Sequence, residues 1–116
     1  MTRPKSLGEI LREARAAKGL SLRGLAGQMD ITPSYLSDIE NDRRVPAEEV
    51  LQQLASLLNL GFDDLMAQAG RFGEEAEQFA KDRPAAVKLF RRLANANPSD
   101  EAIEKIIGEI EDLSES

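Results

Sequence analysis

The chain has 116 residues, of which 31% are charged and 41% hydrophobic, a balance typical of a globular domain with a hydrated surface. It contains no cysteine and no histidine, which excludes disulfides, thiolate metal sites, cysteine nucleophiles and the commonest general base. No apolar run reaches the roughly 18 residues that a membrane-spanning helix needs. No apolar stretch follows Met1, so we expect neither a membrane segment nor a signal peptide.

Charge is distributed unevenly along the chain, whose formal net charge is −6. Residues 1–45 carry eight basic and six acidic side chains, whereas the remainder carries seven basic and 15 acidic ones. The overall acidity argues against a nucleic-acid partner, but a polyanion responds to the local charge. The first 45 residues therefore remain a candidate for nucleic-acid binding.

Hydrophobic spacing predicts a helix in every readable segment and no strand. Ser6 begins the first helix with a capping box. Ser21 is predicted to cap a second helix over about 22–29. Thr32 is predicted to cap a third helix over about 33–41, with a proline at its first position.

The later helices are predicted from the same signals. Pro46 is expected to begin a fourth helix that runs to about residue 58. A fifth helix is expected over about 63–69, before Gly70. Three further helical patterns lie over about 74–81, over about 84–94 and after the break at 97–99.

The most informative stretch is the helix pair within residues 20–40. A tight turn at 30–32 joins two short helices, and four apolar residues are spaced to meet between them: Leu25, Met29, Leu36 and Ile39. The outward face of the second helix then consists of small or polar residues: Pro33, Ser34, Ser37, Asp38 and Asn41. Such a face can lie against base edges in a major groove.

On these residues, the chain resembles the XRE family of helix-turn-helix regulators, the Cro and phage-repressor class. Three motifs carry the resemblance, which spans residues 7–69: Ser21-Leu-x-x-Leu25-Ala26, Ser34-Tyr35-Leu36-Ser37-x-Ile39-Glu40 and Arg43-Arg44-Val45-Pro46. The resemblance implies an all-α fold. It implies a five-helix lambda-repressor-like DNA-binding domain over residues 1–70 and a helical dimerisation or interaction region over 71–116. We expect no cofactor, no metal and no catalytic site.

By this resemblance, the helix that begins at Pro33 is the recognition helix, with Pro33 at its tip. Its side chains that face bases are Ser34, Ser37 and Asp38. The side chains that face phosphates are Ser21, Arg23, Thr32, Asn41, Arg43 and Arg44. The N-termini of the second and third helices independently suit phosphates, because their free N–H groups lie at positive dipole ends.

Several of these residues have a second, structural interpretation. Ser21 and Thr32 can cap helices instead of binding phosphate. Tyr35 is either a packing residue with a hydrated hydroxyl or a phosphate donor at the groove edge. Asp38 either accepts a hydrogen bond from cytosine N4 or orients Arg43 without touching DNA.

Two further features are expected to stabilise the motif rather than to bind DNA. Glu40 lies on an inward-leaning face, where a lone carboxylate would be costly. By the resemblance, Arg15 pairs with Glu40 and links the first helix to the recognition helix. Asp30 occupies the turn position where the family often has glycine, and aspartate tolerates the left-handed conformation better than most residues.

Residues 71–116 are too few for a core of their own, yet they carry apolar helical stripes. These side chains must pack on the first domain or on a second copy: Val87, Phe90, Leu93, Ile103, Ile106, Ile107, Ile110 and Leu113. We interpret them as a homodimerisation element, because a twofold dimer doubles the phosphate contacts. Packing within the same chain is the alternative.

The sequence therefore predicts a cytoplasmic, nucleoid-associated regulator of bacterial or phage type. It is expected to act as a repressor that binds a pseudo-palindromic operator in double-stranded DNA as a homodimer. A regulatory protein is expected as a further partner, and no membrane partner is expected. Two alternatives keep the fold: an antitoxin whose C-terminal helices bind a toxin, and an adaptor that has lost DNA binding. An enzyme is not expected, because the carboxylates lie on solvated helical faces and no glycine-rich phosphate loop occurs.

Overall fold

The computed structural model describes residues 4–114, and this part of the chain forms eight α-helices and no strand. The all-α fold predicted from the hydrophobic spacing is confirmed for these residues. The helices are α1 (Leu7–Ala17), α2 (Leu22–Met29), α3 (Pro33–Glu40), α4 (Glu48–Leu58), α5 (Phe62–Gln68), α6 (Gly73–Asp82), α7 (Pro84–Ala96) and α8 (Asp100–Ser114).

The chain divides into two compact units, Met1–Gly73 and Glu74–Ser116. In the first unit, α3 packs against both α1 and α2, while α4 packs against α1 and α5. The core of this unit is a single apolar cluster: Leu7, Leu11, Leu25, Ala26, Met29, Leu36, Ile39, Leu51, Leu54, Ala55, Leu58, Leu65 and Met66. This cluster includes the four residues that the hydrophobic spacing predicted to meet between α2 and α3, namely Leu25, Met29, Leu36 and Ile39.

Side-chain caps fix the beginnings of the first three helices. Ser6 Oγ accepts a hydrogen bond from the N–H of Glu9 at 3.2 Å, and Glu9 Oε1 accepts one from the N–H of Ser6 at 3.4 Å. Ser21 Oγ and Thr32 Oγ1 each accept from the N–H three residues further on, at 2.9 and 3.1 Å. Each helix begins one residue after its predicted cap, because the cap satisfies an N–H that has no partner within the helix.

The turn between α2 and α3 is built around Asp30. Its backbone is left-handed, with φ 56° and ψ 43°, as predicted for an aspartate where the related motif often has glycine. The N–H of Ile31 donates to the carbonyl of Ala26 at 3.0 Å and closes α2. The turn thereby sets the direction in which α3 leaves α2.

The fourth helix begins two residues later than predicted. α4 begins at Glu48, with Ala47 as its N-cap residue, and not at Pro46. Pro46 is buried, and its carbonyl accepts a hydrogen bond from Arg71 Nε at 2.8 Å. This carbonyl therefore bonds a side chain outside α4. The other predicted bounds lie within one or two residues of the observed ones.

The second unit contains the greater part of α6 and all of α7 and α8. None of these three helices has a buried residue within residues 73–114. Their large apolar side chains with the most exposure are Phe79, Val87, Leu89, Phe90, Ile107, Ile110 and Leu113. No helix between residues 4 and 114 combines the length and apolar character needed to cross a bilayer.

Candidate nucleic-acid interface

α3 presents a narrow polar stripe on the side opposite its buried residues Leu36 and Ile39. We call it the α3 stripe, and its members are Ser34, Ser37, Asp38 and Asn41. These residues follow the i, i+3, i+4, i+7 spacing of one helical face. Ser34 and Asn41 are exposed, while Ser37 and Asp38 are half-buried. Because no long side chain stands on the stripe, the backbone of α3 can approach a grooved partner closely.

The loop that follows α3 carries two arginines beside the stripe. The N–H of Arg43 donates to the carbonyl of Asp38 at 2.8 Å, and Arg43 Nη1 lies 3.6 Å from Asp38 Oδ1. The Arg43 side chain is 70% exposed, so this ion pair contributes little to stability. The arrangement corresponds to the interpretation in which Asp38 orients Arg43, and it leaves the guanidinium accessible.

Arg44 stacks on the only tyrosine of the chain. Its Cζ atom lies 5.0 Å from the centroid of the Tyr35 ring, within the range of a cation–π interaction. Tyr35 is half-buried and packs against the core. The ring is therefore a packing residue that also supports Arg44. Stacking uses the face of a guanidinium and leaves its N–H edges available for an anion.

Three other predicted phosphate ligands lie at the N-terminal ends of α2 and α3. Ser21, Arg23 and Thr32 are all exposed, and Pro33, at the first position of α3, is half-buried. The hydroxyls of Ser21 and Thr32 accept the capping hydrogen bonds described above. A hydroxyl that accepts one hydrogen bond still has a proton to donate. Capping and phosphate binding are therefore compatible at both positions.

Arg15 and Glu40 form a buried ion pair between α1 and the end of α3. Arg15 Nε donates to Glu40 Oε2 at 2.7 Å, and Arg15 Nη2 donates to Glu40 Oε1 at 3.0 Å. A third donor, Arg15 Nη1, bonds the carbonyl of Leu20 at 2.9 Å. The hydrogen bond to Glu40 raises the pKa of Arg15 above its usual value. Arg15 and Glu40 are the two residues that the sequence analysis expected to pair and to stabilise the motif rather than to bind DNA.

Asn41, the last residue of the α3 stripe, is held on both sides. Arg12 Nη2 donates to Asn41 Oδ1 at 2.7 Å and to the carbonyl of Glu40 at 3.3 Å. Asn41 Nδ2 donates to the carbonyl and to Oγ of Ser37, at 2.9 and 3.3 Å. The sequence analysis did not single out Arg12, because its contact with Asn41 joins residues that are 29 positions apart.

The sequence analysis also missed a close contact between α1 and the loop after α3. Asp42, with φ 59°, accepts from Ser6 Oγ at 2.6 Å and from the N–H of Gly8 at 2.9 Å. Gly8 is buried, and a Cβ at this position would overlap the carbonyl oxygen of Glu40. The sequence did contain one signal for this contact, which is Gly8 itself. Glycine within a helix lowers helix stability by about 1 kcal/mol relative to alanine, so its presence there indicates that another part of the backbone approaches closely.

The eight residues predicted to mediate dimerisation lie on α7 and α8, within the second unit. Three of them are half-buried: Leu93, Ile103 and Ile106. The other five are exposed: Val87, Phe90, Ile107, Ile110 and Leu113. Their exposure leaves a substantial apolar surface available to another molecule.

The described residues offer no arrangement for a metal ion, because none of the acidic side chains between residues 4 and 114 form a group of three or more with suitable geometry. The chemistry available at the α3 stripe is therefore that of hydroxyl, amide and carboxylate groups beside arginines.

A family model described as helix-turn-helix matches residues 11–65. The HTH-type transcriptional regulator DdrOP3 of Deinococcus deserti is 41% identical over 69 residues, which are 60% of this chain and 54% of that protein. The match thus spans about half of that regulator.

Two further proteins extend the comparison. The transcriptional regulator ClgR of Mycobacterium tuberculosis is 32% identical over 79 residues, which are 68% of this chain and 70% of ClgR. Among solved structures, a chain of the SinR protein/SinI protein complex has a TM-score of 0.50 and 22% identity, covering 95% of this chain and 99% of that chain. The structural likeness supports the predicted helix-turn-helix fold.

Proposed function

Since this chain belongs to the helix-turn-helix family of transcriptional regulators, a family of DNA-binding proteins rather than enzymes, we propose that it is a repressor that binds a pseudo-palindromic operator in double-stranded DNA as a homodimer. α3 is the recognition helix of each protomer and enters the major groove. The protein acts in the cytoplasm on the nucleoid, and it needs no cofactor.

The observation that carries this proposal is the α3 stripe. A major groove is about 12 Å wide and admits one α-helix when its outer side chains are small or can bond base edges. The stripe meets these conditions, because its two serines are small and its aspartate and asparagine can form hydrogen bonds with base edges. Ser34, Ser37 and Asp38 are the residues proposed to face bases, with Pro33 at the tip of the helix.

Exposed groups on both sides of the stripe support phosphate binding. The proposed phosphate ligands are Ser21, Arg23, Thr32, Asn41, Arg43 and Arg44, none of which is buried. Tyr35 supports Arg44 by stacking and is not itself proposed to bind phosphate. Cations that neutralise phosphates release counterions, so affinity should fall steeply as the salt concentration rises. The acidic second unit should be repelled by the duplex, which favours docking through the first unit.

The homodimer is proposed from the apolar side chains of α7 and α8. A second copy of the same chain can cover these side chains, and it supplies a second recognition helix at the same time. Two half-sites one helical turn apart, about 34–36 Å, then give the operator its symmetry.

The test is selection of bound sites from a random duplex pool with the full chain, together with mass determination in solution. We expect a symmetric sequence and the mass of a dimer. Failure to retain any duplex at low salt would remove the DNA-binding proposal. A monomer mass at the concentration used for selection would remove the homodimer.

The exposed apolar side chains of α7 and α8 also favour a second candidate, in which a different protein covers them. This candidate corresponds to an antitoxin or to a protein-interaction adaptor. Co-expression with the neighbouring genes and recovery of a stoichiometric second polypeptide would favour it, whereas recovery of the homodimer alone would contradict it.

A further inference from the structure

We propose that two copies of this chain assemble by crossed pairing, in which α7 of each copy packs against α8 of the other copy and opposite charges select this arrangement. This inference rests on the proposed function, because it specifies the interface of the homodimer proposed there. The observations that carry it are the charges of the two helices and the exposure of their apolar faces.

The two helices carry opposite charges. α7 has three basic side chains and no acidic one, which gives a formal charge of +3: Lys88, Arg91 and Arg92. α8 has six acidic side chains and one basic side chain, Lys105, which gives a formal charge of −5. All of these charged side chains are exposed. The overall acidity of the second unit therefore conceals one basic helix and one acidic helix.

Two of the cations of α7 border its apolar face. The face consists of Val87, Leu89, Phe90 and Leu93. Arg91 lies four residues after Val87, and Arg92 lies three residues after Leu89. Residues at these spacings are neighbours on a helix surface, so one arginine adjoins the face along each of its sides.

Two glutamates border the apolar face of α8 in the same way. This face consists of Ile103, Ile106, Ile107, Ile110 and Leu113. Glu109 lies three residues after Ile106, and Glu111 lies four residues after Ile107. The two glutamates therefore adjoin opposite sides of the face. In helical interfaces, charges that flank the apolar contact decide which helices pair.

The two apolar faces lack close packing within a single chain. Within the described residues, all the closely packed helix pairs lie in the first unit, and none of them includes α7 or α8. Phe90 on α7 and Ile110 on α8 are each 53% exposed. The helices have 13 and 15 residues, which correspond to lengths of about 20 and 22 Å. Each helix is therefore long enough to cover the face of the other.

Symmetry limits the ways in which two copies can pair these helices. In a twofold dimer, a helix meets either its own counterpart or a different helix of the partner. Pairing α7 with its counterpart would place cations opposite cations, and pairing α8 with its counterpart would place carboxylates opposite carboxylates. Both arrangements are unfavourable. Crossed pairing instead places the arginines of each α7 against the glutamates of the partner's α8, and the symmetry repeats this contact.

The first experiment reverses the bordering charges of one helix at a time in the full chain. The α7 variant is Arg91→Glu with Arg92→Glu, and the α8 variant is Glu109→Lys with Glu111→Lys. Either variant places like charges along both crossed contacts, so its dimer dissociation constant should rise about ten- to hundredfold above that of the wild type. Sedimentation equilibrium at low salt measures the constants. Circular dichroism checks that the helices are retained.

Salt concentration provides an internal control for these variants. Exposed charges are screened as the ionic strength rises. The dissociation constants of the wild type and of the two variants should therefore converge at high salt. A difference that persists unchanged at high salt would indicate lost packing instead of charge repulsion, and it would contradict selection by charge.

The second experiment combines all four substitutions in one chain, which keeps the formal net charge at −6. This swapped variant should form its own dimer about as tightly as the wild type, because opposite charges meet again. It should not form mixed dimers with the wild type, since like charges would then face each other at both contacts. Pairing of each helix with its counterpart predicts the reverse, a preference for the mixed dimer. Native mass spectrometry of the mixture measures the fraction of mixed dimer.

The outcomes separate this inference from the function on which it rests. A wild-type chain that stays monomeric removes the proposed homodimer and the crossed pairing together. If the wild type is a dimer, but neither double reversal weakens it or the swapped variant mixes freely with it, the crossed pairing fails while the homodimer stands. If the α7 variant dimerises normally but binds a single half-site more weakly, α7 contacts the duplex instead, and the crossed pairing again fails.

Discussion

The main chain of Gly8 in α1 lies directly against the carbonyl group of Glu40 at the end of α3, with no space for a side chain between them. The same end of α1 is bonded to Asp42 through the N–H of Gly8 and the hydroxyl of Ser6. This contact fixes the orientation of α3 relative to α1, and it depends on the absence of a Cβ.

Gly8→Ala should therefore destabilise the first unit, although alanine favours helices over glycine. Overlap of a Cβ with a backbone carbonyl forces a shift of the helix, which typically costs about 1–3 kcal/mol. The matched control is Gly27→Ala in α2, where a Cβ would meet nothing within 4 Å. This change should stabilise by up to about 1 kcal/mol. Urea unfolding measures both free energies, and equal effects of the two changes would contradict the close approach at Gly8.

Arg15→Met should be among the most destabilising single changes in the first unit. It removes both hydrogen bonds that Arg15 makes to the Glu40 carboxylate, whose side chain is 3% exposed, and leaves only the longer 3.7 Å contact with Arg12. Loss of one partner of a buried ion pair costs about 3–5 kcal/mol. The control is Glu13→Gln at the exposed pair of Lys5 and Glu13, whose side chains are 60% and 57% exposed. That change should have no measurable effect on unfolding in urea. Similar effects of the two changes would argue against a structural role for the buried pair.

Arg43→Ala should weaken DNA binding by a similar factor on every sequence, because a phosphate contact carries no base information. The slope of log affinity against log salt should become flatter by about 1. Asp38→Asn should act in the opposite direction on non-specific duplexes, since it releases Arg43 from the carboxylate and removes a negative charge. Fluorescence anisotropy titrations at several salt concentrations measure both effects. An unchanged slope for Arg43→Ala would exclude Arg43 from the phosphate contacts.

Tyr35→Phe and Tyr35→Ala should behave differently in DNA binding. The phenylalanine ring retains the surface on which Arg44 stacks, so we expect an affinity near that of the wild type. Alanine removes this support and should weaken binding about as much as Arg44→Ala does. An exposed cation–π contact contributes about 0.5–1 kcal/mol, which corresponds to a few-fold change in affinity. If Tyr35→Phe is as weak as Tyr35→Ala, the hydroxyl itself binds phosphate.

The double change Ile107→Glu with Ile110→Glu should convert the proposed dimer into a monomer, because it places two carboxylates on the apolar side of α8. Its affinity for a duplex with two half-sites should fall to that for a single half-site. Lys105→Glu is a suitable control, since it alters the net charge by the same two units at an exposed position of α8. Analytical ultracentrifugation gives the mass. A double variant that stays dimeric would place the interface elsewhere.

The parts of the fold that the sequence predicts correctly depend on local signals. Ser6, Ser21 and Thr32 each bond an N–H only three residues away, so their roles follow from short motifs. Asp30 adopts its left-handed conformation for an equally local reason. Such signals suffice to locate α1, α2 and α3, and with them the outward face of α3.

The parts that the sequence does not predict depend on residues far apart in the chain. The carbonyl of Pro46 is bonded by Arg71, which lies 25 positions away, and α4 begins two residues later than the proline rule predicts. The contact between Gly8 and Asp42 spans 34 positions. The roles of the individual side chains toward DNA stay predictions, because they depend on the geometry of the complex.

All the apolar residues buried in the described chain lie between Leu7 and Met66. None of these buried residues belongs to α7 or α8, so substitutions in these two helices leave the side chains of this cluster unchanged. Gene duplication followed by divergence of these helices alone can therefore give sister proteins that keep one DNA preference while they acquire different assembly partners.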